Sequence, residues 1–232
     1  MAQARGHVAP RVVALYAGTI RRRDFGGRQA DSAIAKTAVT GRARVRRLGL
    51  EGDAQADTRN HGGPDRAVCV YADERYPYWE GRLGRPLAAP AFGENARVAG
   101  RLEQDVLLGE VWQAGRVILQ VTEPRVPCWM PGAHNGEPRL TAWMADTGYT
   151  GYLLRVLQEG ELEPGATVEV VDRPDEGISV MELNRLYFKD RDDVSGLRRA
   201  LRAGGLLPEW RGILEERLQR AEGPRPSTHV TP

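Results

Sequence analysis

Up to Asp172 the chain consists of short apolar or alternating runs separated by clusters of Gly, Pro, Asn and Asp. The runs at residues 12–16 (VVALY), 33–39, 43–48, 67–71, 117–121 (VILQV), 152–157 and 167–171 are short and rich in strand-forming side chains. Many such runs with turn chemistry between them predict a mainly β fold, a barrel or a sandwich. Helical spacing is confined to residues 71–83 and to 140–146, where Gly148 supplies a stop.

The pattern changes after Asp172. The DRPDEG stretch at 172–177 reads as a linker, and Ser179-Val-Met-Glu182 is a capping box that opens a helix. A second helix is predicted over 193–203, stopped by Gly204 and Gly205. A third starts after Leu207, with Pro208 in its first turn and an apolar stripe of Trp210, Ile213, Leu214 and Leu218. The expected organisation is therefore a β domain over 1–172, a small three-helix bundle over 173–222 and an unstructured tail over 223–232, with the first ten residues also loose. So small a bundle is marginal alone, so it should pack on the barrel or on a second copy of the chain as a homodimer.

Composition narrows the function classes. The 232 residues are 41% hydrophobic and 28% charged, with a net charge of +2. That balance does not suit a general nucleic-acid binder or a membrane-surface binder. Arginines cluster at 21–23 and 42–47, which reads as solvated loop or strand faces. No apolar run approaches the roughly 18 residues of a membrane span, and no signal-peptide core is present. Two cysteines are too few for a disulfide framework. A cytoplasmic, reduced protein is the expectation.

Three stretches could carry chemistry. In EPRVPCWMPG (123–132) three prolines surround Cys128, and Arg125 stands three residues before it. A nearby cation favours the thiolate, the form that attacks and binds metal. The alternative is a small hydrophobe filling a gap beside Trp129. Cys69, inside the apolar RAVCVYA, is expected in the core. In NHGGPDRA (60–67) two glycines and a proline make a tight loop whose N–H groups could face an anion, with His61 and Arg66 adding donors. In APAFGENARVAG (89–100) Asn95 offers both donor and acceptor, and Glu94 is an acid, a base or a surface carboxylate.

Taken in order, GLEGDAQAD (49–57), NHGGPDRAVCVY (60–71), PAFGEN (90–95) and EPRVPC (123–128) resemble the MOSC family, the molybdenum-cofactor sulfurase C-terminal domain. They resemble its YiiM-like branch in particular, which includes the bacterial hydroxylaminopurine resistance proteins and carries a C-terminal three-helix domain. The resemblance implies a MOSC-type β-barrel holding a molybdenum pyranopterin cofactor, with Cys128 as the metal's thiolate ligand. It also implies a cofactor cleft lined by Asn60, His61, Gly62, Gly63 and Arg66, by Glu94 and Asn95, and by Arg125 at its charged end. Ser32 and Lys36 stand where the family often has a small polar and a basic residue.

The function so implied is an oxidoreductase that reduces N-hydroxylated compounds such as hydroxylaminopurine-type bases. Cys128, His61 and Asp65 would be its catalytic residues. His61, Asp65, Glu94 and Glu123 are all candidates for the general acid that protonates the leaving oxygen. The sequence has no flavin, nicotinamide or iron–sulfur signature, so a separate electron-donor reductase is expected. Two rival readings are a sulfur carrier using a Cys128 persulfide and a non-enzymatic cofactor carrier.

Overall fold

The structure is a computed structural model that describes residues 9–58 and 61–223. Asn60 and the expected tails at both ends lie outside the described residues, apart from the residues next to them.

The elements in chain order are β1 (Arg11–Ala17), β2 (Arg21–Asp24), β3 (Gln29–Ser32), β4 (Thr37–Ala38), β5 (Ala43–Arg46) and β6 (Gly49–Leu50). A 3-10 turn at Pro64–Arg66 leads into β7 (Val68–Ala72), α1 (Arg75–Leu83), β8 (Ala96–Ala99), β9 (Val111–Ala114) and β10 (Val117–Pro124). Then come α2 (Met130–His134), α3 (Leu140–Thr147), β11 (Tyr152–Gln158), β12 (Gly160–Leu162) and β13 (Val168–Asp172). The chain ends in α4 (Val180–Phe188), α5 (Val194–Arg202) and α6 (Pro208–Glu222).

Eight strands form one sheet in the order β13-β9-β10-β11-β7-β8-β1-β4. Neighbours are antiparallel except β7 and β8, which are parallel. A parallel pair needs a long crossover, and the segment containing α1 supplies it. The sheet curls back on itself: the Val12 N–H donates to the Ala166 carbonyl at 2.9 Å and the Val168 N–H to that of Pro10 at 2.9 Å. The result is the barrel-like β fold that the alternating runs predict. β12-β5-β6 make a three-stranded sheet and β2-β3 a separate two-stranded one.

Local differences from the sequence reading have physical causes. Residues 33–39 are not one strand. Only β4 pairs, because Lys36 turns inward to an ion pair with Asp53. The strand in the 43–48 run ends at Arg46, and a turn that leaves Leu48 exposed leads on to β6. The helix expected from 71 starts at Arg75, since Tyr71 and Ala72 complete β7.

The three helices follow their caps. Ser179 Oγ accepts from the Glu182 N–H at 3.1 Å, Asp193 Oδ1 from the Gly196 N–H at 3.0 Å, and Pro208 opens α6. Leu183, Leu186, Leu197, Trp210 and Leu214 are buried in the same core as Val106, Leu108 and Val121 of the β domain. The helices thus rest on the barrel rather than standing alone. At this junction Gly205 is at φ 79°, and a Cβ on it would lie 2.4 Å from the Gly109 Cα. No larger residue permits that approach. A second cluster around Trp79, Phe92, Leu140 and Met144 packs α1 and α3. Among the described residues no helix is long and apolar enough to cross a membrane.

Candidate functional site

A cleft of about 690 Å³ opens between the end of the barrel and the helices. Cys128 lines it. β10 ends at Pro124, and the Arg125 N–H donates to the Gly151 carbonyl at 3.1 Å. After Pro127 the chain is pinned again, where Thr141 Oγ1 donates to the Cys128 carbonyl at 2.9 Å. Partial burial pushes the Cys128 thiol up. The hydrogen bonds from His61 and the Met130 N–H, with the charges of Arg125 and His61, outweigh it and bring the pKa below its ordinary 9.0. Arg125 also lines the cleft, and its Nη1 is buried without a hydrogen-bond partner among the described residues. A buried guanidinium N–H left unmatched is costly, so this atom points to a ligand that accepts.

Lys36, Asp53 and Asn95 form the polar floor. Lys36 and Asp53 pair with side-chain exposures of only 6% and 1%. Asp53 Oδ1 also accepts from the Gly18 N–H at 2.9 Å, and Oδ2 accepts from Asn95 Nδ2 at 2.8 Å. Asn95 Oδ1 accepts from the Cys69 N–H at 3.1 Å. Both ends of the Asn95 amide are therefore spent on the protein, so it shapes the wall instead of reading a heterocycle edge. Asp53 lies within the GLEGDAQAD motif but reads in sequence as one more turn acid; its partners are 17 and 42 positions away.

The third element joins the two domains. Arg66 pairs with the buried Glu123 and reaches Glu209 of α6 at 2.9 Å, and Trp210 Nε1 donates to Glu123 Oε2 at 2.7 Å. Tyr187, Glu209, Trp210 and Ile213 of the helices line the cleft. Nothing local in the sequence announces that wall, which depends on tertiary packing.

Of the residues singled out in sequence, Ser32, Lys36, His61, Arg66, Asn95, Arg125 and Cys128 line this one cleft. The others do not. Asp65 is exposed, does not line the cleft and pairs with Arg155 at 3.0 Å, which argues against a catalytic part for it. Glu94 is fully buried behind the wall, accepting from the Tyr76 hydroxyl and from the Phe92 N–H at 3.1 Å, and burial lifts its carboxyl above the usual range. It is neither a surface carboxylate nor a cleft residue. Gly62 and Gly63 shape the turn but do not line the cleft. Cys69 is not a core residue: it is half-buried, lines the cleft, and keeps a raised pKa through burial.

A family model described as the MOSC domain matches residues 57–169, and one described as the YiiM-like, 3-alpha helix domain matches 178–221. The chain is 38% identical over 209 residues to the "Uncharacterized protein YflK" of Bacillus subtilis, covering 90% of this chain and 95% of that one. The crystal structure of YiiM from Geobacillus stearothermophilus superposes with a TM-score of 0.76 at 33% identity, covering 90% of this chain and 99% of that one. A protein named "Reductase" in Gibberella moniliformis is 32% identical over 176 residues, which cover 73% of this chain and 31% of that longer one.

Proposed function

The chain belongs to the MOSC-domain family, with the YiiM-like three-helix domain appended, and on that footing we propose that it is a molybdenum-cofactor-binding oxidoreductase that reduces N-hydroxylated compounds. The observation that carries this reading is Cys128, a thiol biased toward thiolate and held at a cleft beside an unmatched buried guanidinium.

The residues present fit the cofactor. Thiolates are good ligands for soft metal centres. Among the described residues no group of three or more His, Cys, Asp or Glu could hold a bare ion. On this reading a metal here would take its other donors from the cofactor. Cys128 would be the protein's ligand, and Arg125 Nη1 would meet an anionic or carbonyl oxygen. The cleft volume lies within the range of small-molecule sites, about 300–1,000 Å³. The bound cofactor would supply two-electron reduction, for the balance R–NHOH + 2e⁻ + 2H⁺ → R–NH₂ + H₂O.

The chain's own part is to hold substrate and deliver protons. Among the four acids considered, Asp65 lies outside the cleft lining and pairs with Arg155, Glu94 lies behind the wall, and Glu123 is committed to Arg66 and Trp210. His61 is exposed in the cleft and bonded to the Cys128 sulfur. We assign to His61 the proton that goes to the leaving hydroxyl oxygen. The electrons come from a separate reductase. The "Reductase" of G. moniliformis supports redox chemistry through its name, over the part that it shares. The pinned cysteine loop weighs against a sulfur carrier, whose persulfide must swing between partners.

The test is protein made in hosts with and without molybdenum-cofactor synthesis. Molybdenum that co-purifies only from the competent host, with N-hydroxyl reduction when a reductant is supplied, supports the reading. Metal-free protein with a persulfide mass on Cys128 overturns it.

A further inference from the structure

The basic stretch at residues 21–31 has no part in that chemistry, yet it folds against the catalytic loop. β2 and β3 pair with Arg22 opposite Asp31 and Arg23 opposite Ala30. Their turn is Gly26-Gly27, at φ 70° and 93°, the positive values that a two-residue hairpin turn demands. Asp24 stiffens the tip by accepting from the Gly27 N–H at 2.6 Å and from Gln29 Nε2 at 2.8 Å. The Phe25 N–H donates to the Arg28 carbonyl at 3.0 Å, which sets those two side chains on the shoulders of the turn. Both reach Trp129, the residue after Cys128. The Phe25 ring meets it edge-on at 5.3 Å, and the Arg28 guanidinium lies 3.9 Å from the ring centroid. At the end of β3, Ser32 Oγ is 3.4 Å from Met130 Sδ. The hairpin is a sheet of its own, and such a hairpin is marginal in water without outside contacts. Asp31, Ser32, Cys128, Trp129 and Met130 all line the cleft.

We propose that Phe25 and Arg28 are positioning residues: by gripping Trp129 they hold the Cys128 loop and set the width of the cleft beside the sulfur. This rests on Cys128 as the working thiol but needs no bound cofactor. An aromatic pair and a cation–π contact together shift an open–closed balance by about tenfold.

The test uses the full chain without cofactor, alkylated at one fixed pH by iodoacetamide and by a bulky maleimide. Peptide mass spectrometry reads Cys128 and Cys69 separately. The bulky-to-small rate ratio cancels thiolate reactivity and reports access. Phe25→Ala and Arg28→Ala should each raise that ratio several-fold at Cys128, and by clearly less at Cys69, which lines the same cleft but does not adjoin Trp129. Phe25→Trp, which keeps an aromatic edge, should restore it. Arg28 is exposed, so Arg28→Ala stays informative even if Phe25→Ala fails to fold. An unchanged ratio at Cys128, or an equal rise at Cys69, overturns the proposal. A shifted ratio in a chain that never reduces an N-hydroxyl compound leaves the clasp standing and removes only the proposed activity.

Discussion

Glu123→Ala should loosen the joint between barrel and helices. In the native chain the carboxylate is 4% exposed, paired with Arg66, and accepts from Trp210 Nε1 at 2.7 Å. Truncating one member of a buried charge pair costs about 3–5 kcal/mol. An indole N–H left without an acceptor adds to that by about 1–3 kcal/mol. Arg66 keeps Glu209 at 2.9 Å, but that partner is 67% exposed and screened. Arg66 still keeps a partner, so the charge-pair cost falls to about 2 kcal/mol, and with about 1 kcal/mol for the indole the expected loss is about 3 kcal/mol. For a chain of this length that lowers Tm by about 6–12 °C. Urea and thermal melts of Glu123→Ala, Trp210→Phe and the double variant form the assay. Coupling of about 1 kcal/mol or more is expected between the two sites. Additive losses, or a Glu123→Ala loss below about 1 kcal/mol, would refute the bridge.

His61→Gln should keep molybdenum while N-hydroxyl reduction falls about 100-fold or more, the usual scale of general acid catalysis; metal analysis beside turnover separates the two. Asp65→Asn should leave metal and turnover unchanged and shift stability by less than about 1 kcal/mol, since it removes only an exposed ion pair. In cofactor-free protein Cys128 alkylation should reach half-maximum below pH 9.0 and that of Cys69 above it, because hydrogen bonds and cations favour one thiolate and burial disfavours the other. The sign for stability follows. With its folded pKa depressed, the Cys128 thiolate contributes stability above pH 9.0 and loses it as the pH falls through the lower folded value, a dependence that Cys128→Ser should abolish.

What was legible in the sequence was periodic or capped. β1, β7, β10, β11 and β13 come from alternating or apolar runs, and α4, α5 and α6 from Ser179, Asp193 and Pro208 at their starts. β2 was not legible because RRRD has no apolar face; its pairing depends on two glycines and on Trp129, about 100 positions away. β8 and β9 are only four residues long and sit inside turn-rich sequence. Glu94 misled because it adjoins Asn95, yet neighbours entering a strand face opposite sides. Asp53 and the helical wall of the cleft escaped because only tertiary packing brings them to Lys36 and Glu123.

The central claim is that Cys128 is the ligand of a bound molybdenum cofactor. Its most direct test is the molybdenum content and N-hydroxyl reduction of Cys128→Ser and wild type, both from a cofactor-competent host and normalised to folded protein. The account predicts metal and turnover in wild type and the loss of turnover in the serine variant with the fold intact, because a hard, weakly acidic hydroxyl is a poor substitute for a thiolate. Equal turnover in the two proteins would contradict it.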